Sequence, residues 1–192
     1  MPRSARGRER GVTHAGSPVS REGRRIGVWF ALRARGVETI VVSEPSPDRR
    51  RAMSALGAER VVDPTQKDGL ADAVKSATRG QGVDVAFDAS GAGPAVRQAL
   101  AQLTPLGTLT VVALHEKGFE FNPTQLVMAE TAMNGSLAYL PADFDAVIGA
   151  MAEGKYTADG WVAEVELEGV VGAFGELRAG RGMKVLVRAP RE

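Results

Sequence analysis

The feature that most constrains this chain is a rhythm. From Thr39 onward, short apolar runs recur about every 20 to 25 residues, with a helical stretch between most of them. Thr39-Ile40-Val41-Val42 is β-branched throughout and is followed by Glu44-Pro45. A continuous apolar run of this length reads as a strand buried on both faces. Residues 60–62, 83–87, 108–114 and 131–139 read as further strands. Helices are expected over 26–35, 47–56, 69–77, 94–103, 125–128 and 143–151, several of them stopped by a glycine such as Gly36, Gly57 or Gly154. Alternating strands and helices of this kind form βαβ units, whose right-handed crossovers build a parallel sheet covered on both faces. The end of the chain differs: residues 161–167, 169–179 and 183–187 read as strand, helix and strand.

The start of the chain breaks the rhythm. Residues 1–35 hold nine arginines and two acids, whereas residues 36–192 hold 15 basic and 21 acidic residues. The basic arm has neither aromatic interleaving nor a helical stripe, so it reads as a solvated, disordered tail over residues 1–24 and not as a nucleic-acid or organelle-targeting segment. No apolar run approaches the roughly 20 residues of a membrane span. The chain has no cysteine and two histidines, His14 and His115, which leaves no cysteine-ligated zinc and fits a cytoplasmic protein.

In a doubly wound sheet, ligands sit beyond the carboxyl ends of the strands. The first strand found above ends at Glu44, whose carboxylate can accept both hydroxyl hydrogens of an adenosine ribose and would repel a 2′-phosphate. A solvated carboxylate at a helix entry is the competing reading. Arg49, one turn into the next helix, could touch the same ribose. Arg49, Arg50 and Arg51 together could instead accept a 2′-phosphate, so both NAD and NADP stay open. The glycine-rich turn that should cradle a diphosphate is damaged. In Glu22-Gly23-Arg24-Arg25-Ile26-Gly27 only Gly27 falls on a required glycine, the third.

A central strand should precede that turn, and residues 11–22 supply only Val12-Thr13 as a candidate. A buried strand carries about three large side chains at roughly 1.5–3 kcal/mol each, which rivals the stability of a whole domain. The expectation is a sheet lacking a proper first strand and marginally stable, or one whose strand comes from the tail.

Several stretches, in order and spacing, resemble the zinc-type medium-chain dehydrogenases, especially the butanediol, sorbitol and threonine dehydrogenase group. These are residues 36–45 ending in Ser43-Glu44-Pro45, Ala55-Leu56-Gly57-Ala58 with Val61-Val62-Asp63-Pro64, Phe87-Asp88-Ala89-Ser90-Gly91, and the closing residues 177–187. The resemblance covers about residues 25–190. It implies an α/β Rossmann-type domain over residues 25–157 and a strand–helix–strand remnant of the catalytic domain over 158–192. It further implies that Glu44 binds the adenosine ribose of NAD and that Ala89 and Ser90 line the adenosine side. Val112, Ala113 and Leu114 would offer backbone groups to the nicotinamide carboxamide, Leu137 would pack near it, and Lys184 would reach the diphosphate. Bland alternatives stand beside these: Val112 and Leu114 as core strand residues, and Lys184 as a solvated cation. His115 follows a strand end and tempts as a catalytic residue, but no ligand partner lies near it in sequence, and it reads as a surface histidine.

In such enzymes a hydride passes from a secondary alcohol to the nicotinamide, with a zinc ion held by an N-terminal domain that has no counterpart here. The resemblance begins abruptly at Ile26, so residues 1–24 are expected to be a truncated or frame-shifted reading and the chain to be inactive alone. A non-catalytic binding or assembly module and a zinc-free quinone or enoyl reductase relative are the alternatives. The family also pairs its last nucleotide-domain strands edge to edge, which implies a homodimer through residues 131–139.

Overall fold

The computed structural model of the protein describes residues 10–14 and 22–189. Six parallel strands form one sheet: β1 Arg10–His14, β2 Thr39–Ser43, β3 Arg60–Val62, β4 Val83–Asp88, β5 Leu103–Val111 and β6 Ala132–Gly135, in the order β3-β2-β1-β4-β5-β6. The helices are α1 Glu22–Ala34, α2 Pro47–Ala55, α3 Gly69–Thr78, α4 Gly93–Leu100, α5 Thr124–Ala129 and α6 Pro141–Ala152. A second, two-stranded parallel sheet, β7 Val162–Glu166 and β8 Lys184–Arg188, is crossed by α7 Val170–Arg178.

Burial follows the period-2 alternation of a strand covered on both faces. Along β2, Ile40 and Val42 join Ile26, Trp29, Phe30 and Met53 in one core. Val41, between them, turns to the other core with Leu70, Val74, Val83, Ala86, Val96, Ala99 and Leu109. Ile26, Trp29 and Phe30 are spaced i, i+3, i+4, so α1 lays one stripe on the first face. α3 does the same on the second face through Leu70, Val74 and the partly buried Ala73 and Ala77. The C-terminal unit docks on the α1 face: Met183 is buried there, and Phe30 stacks on Tyr156 with ring centroids 4.8 Å apart.

Four expectations are corrected. The sheet does not lack its first strand: of the two alternatives, the strand supplied from the tail is the one found, with Arg10–His14 at the centre between β2 and β4. Parallel strands leave an N–H and C=O row on each edge, and only a strand in the middle satisfies both neighbours. Gly11 pairs with Ile40 on one side and Val85 on the other, which requires backbone and little side-chain volume. Residues 1–9 and 15–21 of the tail lie outside the described ones, and Glu22 to Arg24 begin α1. Second, residues 22–27 are not a glycine-rich turn. They open α1, and Gly27 is helical.

Third, α4 stops at Leu100 and β5 begins at Leu103 rather than at residue 108, ending at Val111 rather than at 114. Val83 pairs with Leu103 and Val85 with Thr108, so residues between them bulge out, with Leu106 at φ 65°. A bulge is where a sheet tolerates a proline such as Pro105. Gly107 fits it because a Cβ there would lie 2.8 Å from the Thr104 carbonyl oxygen. Fourth, β6 is four residues long, ending at Gly135.

Leu109 is fully buried in the centre of the second core. Leu109→Ala should cost about 2–5 kcal/mol by transfer and cavity terms together. A urea midpoint unchanged from the parent would show that this core does not carry the fold.

Candidate functional site

The carboxyl ends of all six strands fall on one row. His14 pairs with Ser43 and with Asp88, Ser43 with Val62, Asp88 with Val111, and Val111 with Gly135. Every chain segment that leaves the sheet therefore leaves it from one edge, and the strand order reverses between β1 and β4. In open α/β sheets a reversal of this kind is where ligands bind, beyond the carboxyl ends of the strands. Glu44, Ala89, Ser90, Val112, Ala113, Leu114 and Leu137 all follow this row within three residues of it. Three other residues singled out in the sequence do not: Gly27 lies within α1, Arg49 in α2, and Lys184 opens β8.

Glu44 is 2 % exposed. Its Oε1 accepts the Ser46 N–H at 2.8 Å, and its backbone N–H donates to the Val62 carbonyl at 2.9 Å. Pro47 at the first turn and the Ser46 side chain accepting from the Arg49 N–H start α2 directly behind it. Arg50 holds the same turn from below. It donates to the carbonyls of Glu44 and Pro45 at 2.8 and 2.7 Å and pairs with Asp63 at 3.1 Å. The Thr65 hydroxyl and N–H, with Arg50, hold the Asp63 carboxyl below its ordinary 3.8.

Arg49 is 4 % exposed, and its guanidinium is directed to the C-terminal unit, donating to the carbonyls of Gly182 at 3.1 Å and Leu177 at 2.9 Å. Ser46 adds a third tie, its hydroxyl donating to the Gly180 carbonyl at 2.8 Å. Arg51 is exposed and pairs with Asp48. The three arginines thus have three separate structural partners and do not converge on one anion. Lys184 is exposed on the same side as Arg49, at a cavity of about 400 Å³ between α2 and the β7–α7–β8 unit.

On the far side of the reversal, Asp88 organises the loops. It is fully buried. Its Oδ1 accepts from the Ser90 hydroxyl and from the N–H groups of Ser90 (2.9 Å) and Gly91 (3.3 Å). Its backbone carbonyl accepts the N–H groups of Val112 at 2.9 Å and Ala113 at 3.1 Å. Its Oδ2 faces the His115 Nε2 at 2.8 Å. His115 is therefore not a plain surface histidine: its side chain is 16 % exposed and tied to a buried carboxylate. Asp88 had a local signal, an aspartate two residues before the N–H it caps, which is an Asx turn. His115 had none, since its partner lies 27 residues away. Ala89, Ser90 and Ala113 are buried, whereas Leu114 and Leu137 are exposed.

Among the described residues, no group of three or more His, Cys, Asp or Glu side chains could hold a metal ion. The sequence has no cysteine, so the described residues assemble no cysteine-ligated zinc site. Among the same residues, no helix is long and apolar enough to cross a membrane.

The model of a family described as zinc-binding dehydrogenase matches residues 26–153, two thirds of the chain. The chain belongs to that family. It is 35 % identical over 161 residues to the (R,R)-butanediol dehydrogenase of Bacillus subtilis (strain 168), covering 82 % of this chain and 46 % of that protein. It is 37 % identical over 139 residues to a probable diacetyl reductase [(R)-acetoin forming] 2 of Saccharomyces cerevisiae, covering 70 % of this chain and 33 % of that one. The crystal structure of 2R,3R-butanediol dehydrogenase from Bacillus subtilis superposes with a TM-score of 0.82 at 31 % identity, over 97 % of this chain and 52 % of that one. Benzyl alcohol dehydrogenase from Acinetobacter calcoaceticus shares the fold, with a TM-score of 0.83 at 20 % identity, over 97 % of this chain and 51 % of that one. This family member thus spans about half the length, or less, of these relatives. The match starts at Ile26, inside α1, so the family pattern covers the sheet from β2 to β6 and the helices between.

Asp63 gives a pH test of the Arg50 clamp. A carboxyl lowered in the folded state stabilises fully above its unfolded value and loses that contribution as pH falls through its folded one. The stability gap between the parent and Asp63→Asn should be widest above about pH 5 and should narrow as pH drops below 3.8. Urea midpoints measured across that range check this, and a gap that widens on acidification would contradict it.

Proposed function

We propose that this chain binds NAD(H) across the carboxyl edge of its six-stranded sheet, as the nucleotide-binding portion of an alcohol or polyol oxidoreductase. The observation that carries the reading is Glu44: a buried carboxylate at the tip of β2, held in place by Ser46 and Arg50, on one side of the strand reversal. A carboxylate in that position accepts the hydroxyl hydrogens of the adenosine ribose and opposes a 2′-phosphate. Arg49 and Arg50 are spent on backbone carbonyls. That favours NAD over NADP. Ala89 and Ser90, both buried, shape the turn after β4 next to the reversal, Val112, Ala113 and Leu114 follow β5 on its far side, and Leu137 lies beyond them. Gly27 sits one turn into α1, where the missing side chain leaves room beside the diphosphate. Lys184 supplies positive charge from the C-terminal unit, and Arg49 braces that unit against the ribose turn.

Bound nicotinamide supplies hydride acceptance. The residues of this chain bind and orient it, and the exposed Leu114 and Leu137 offer apolar surface from which water is excluded. A secondary alcohol or polyol is the proposed substrate class, in keeping with the names of the Bacillus and Saccharomyces relatives. Its contacts would come from a partner domain docking on the crevice.

We also propose a homodimer through β6. The strand is an edge with all four residues exposed, and it is continuous with exposed Leu137, Tyr139, Leu140, Phe144, Ile148 and Met151. An apolar edge of that size is ordinarily covered, and pairing two copies about a two-fold axis covers it. Sedimentation equilibrium should give twice the chain mass, and a monomer at all concentrations would remove the dimer.

Isothermal titration with NADH should give an affinity tighter than about 100 μM, near −5.5 kcal/mol. Glu44→Ala should weaken NADH by roughly ten- to a hundred-fold, the value of a charged hydrogen bond of about 1.5–3 kcal/mol, and should narrow the preference over NADPH. Equal binding of both nucleotides by the parent and the variant would refute the assignment.

A further inference from the structure

The Asp88–His115 pair is not needed to form the sheet, since β4 and β5 are already joined by their ladder. Its geometry has another consequence. Asp88 grips the segment after β5 at three points: its carbonyl takes the N–H groups of Val112 and Ala113, and its carboxylate faces the ring of His115. Leu114 lies between two anchored residues, yet is itself 64 % exposed. An exposed leucine whose backbone is fixed on both sides is a shelf, not a floppy loop residue.

The ring's orientation is settled by its surroundings. Nε2 faces a carboxylate oxygen at 2.8 Å, so that nitrogen must carry the proton, because a lone pair there would face another. Nδ1 is buried and has no partner among the described residues. A proton on Nδ1 would be a buried donor without an acceptor, so the Nε2–H tautomer is the one the site accommodates. Phe119 leans on the imidazole with centroids 5.4 Å apart. It is seated in turn on Gly93, where a Cβ would lie 2.5 Å from the Phe119 Cβ. The loops after β4 and β5 are thereby locked into one body.

We propose that His115 is a positioning residue. Through Nε2–H to Asp88, it holds Leu114 as an apolar shelf against the nicotinamide half of a bound dinucleotide. This rests on the nucleotide reading above. With Glu44 on the β2 side of the reversal taking the adenosine half, a dinucleotide laid across the crevice puts its other half over β4 and β5.

The test compares NADH with ADP-ribose, which keeps the adenosine half and the diphosphate but lacks the nicotinamide. His115→Phe keeps an aromatic ring and removes the donor, whereas His115→Gln keeps an amide donor near the Nε2 position. The expected result is at least a tenfold loss of NADH affinity in His115→Phe, with ADP-ribose changed less than twofold, and recovery of most of the loss in His115→Gln. A merely structural role would weaken both ligands together, and that outcome, or no change in either, overturns the proposal. Should the Phe variant fail to fold, the imidazole nitrogen spectrum of the parent decides, and with two histidines in the chain it is simple to assign. His115 should show the Nε2–H tautomer and respond to NADH but not to ADP-ribose. The other tautomer, or an equal response to both ligands, sinks the idea. A parent chain that binds neither ligand overturns the nucleotide reading and takes this inference with it.

Discussion

The structure depends on the backbone ladder through β1. Gly11 stands between Ile40 and Val85, and His14 between Ser43 and Asp88, so two halves of a sheet are joined by five residues. Without them, β2 and β4 would each present an open edge in the middle of the domain, the costliest place for unpaired N–H and C=O groups. The same ladder sets the register that brings Glu44 and Asp88 to one edge. Fold and site are therefore consequences of one alignment.

On either side of that ladder the strand tips are finished differently. The β2 tip is a charged turn: Glu44 is fixed by Ser46 and by Arg50, and Arg49 and Ser46 extend the tie to the carbonyls of 177, 180 and 182. The β4 and β5 tips are joined by a hydrogen-bonded hub, with the buried Asp88 carboxylate surrounded by Ser90, Gly91 and His115. Buried charges are tolerated only when their hydrogen-bond capacity is filled, and the filling groups here come from the loops that flank the crevice. The cost of burying each carboxylate is thus offset by order in the loops a ligand would meet.

Much of this was legible in the sequence. β2, α2 and β3 fall within a residue or so of their expected bounds, because β-branched runs flanked by Glu44-Pro45 and Gly57 leave little choice. The positions after β2 and β4 were legible for the same reason, whereas Val112 to Leu114 and Leu137 follow strands that end earlier than their apolar runs suggest. β1 was harder to see, since Arg10–His14 contains one large aliphatic residue and a central strand can be held by its ladder rather than by side-chain volume. The start of β5 was hidden because Pro105 and Gly107 signal a break in a helix or strand, and the bulge that accommodates them is set by pairing with Val83 and Val85. The contact of His115 with Asp88 and the turning of Arg49 toward residues 177–182 join groups distant in sequence, which no local pattern encodes.

The central claim is that one dinucleotide lies across the aligned strand tips, with adenosine at the β2 side and nicotinamide over β4 and β5. A crystal structure of the chain with NADH tests it most directly. The account predicts the adenosine ribose within hydrogen-bonding distance of the Glu44 carboxylate and the nicotinamide ring against Leu114. Nucleotide density anywhere off that edge, or running in the opposite direction along it, would contradict it.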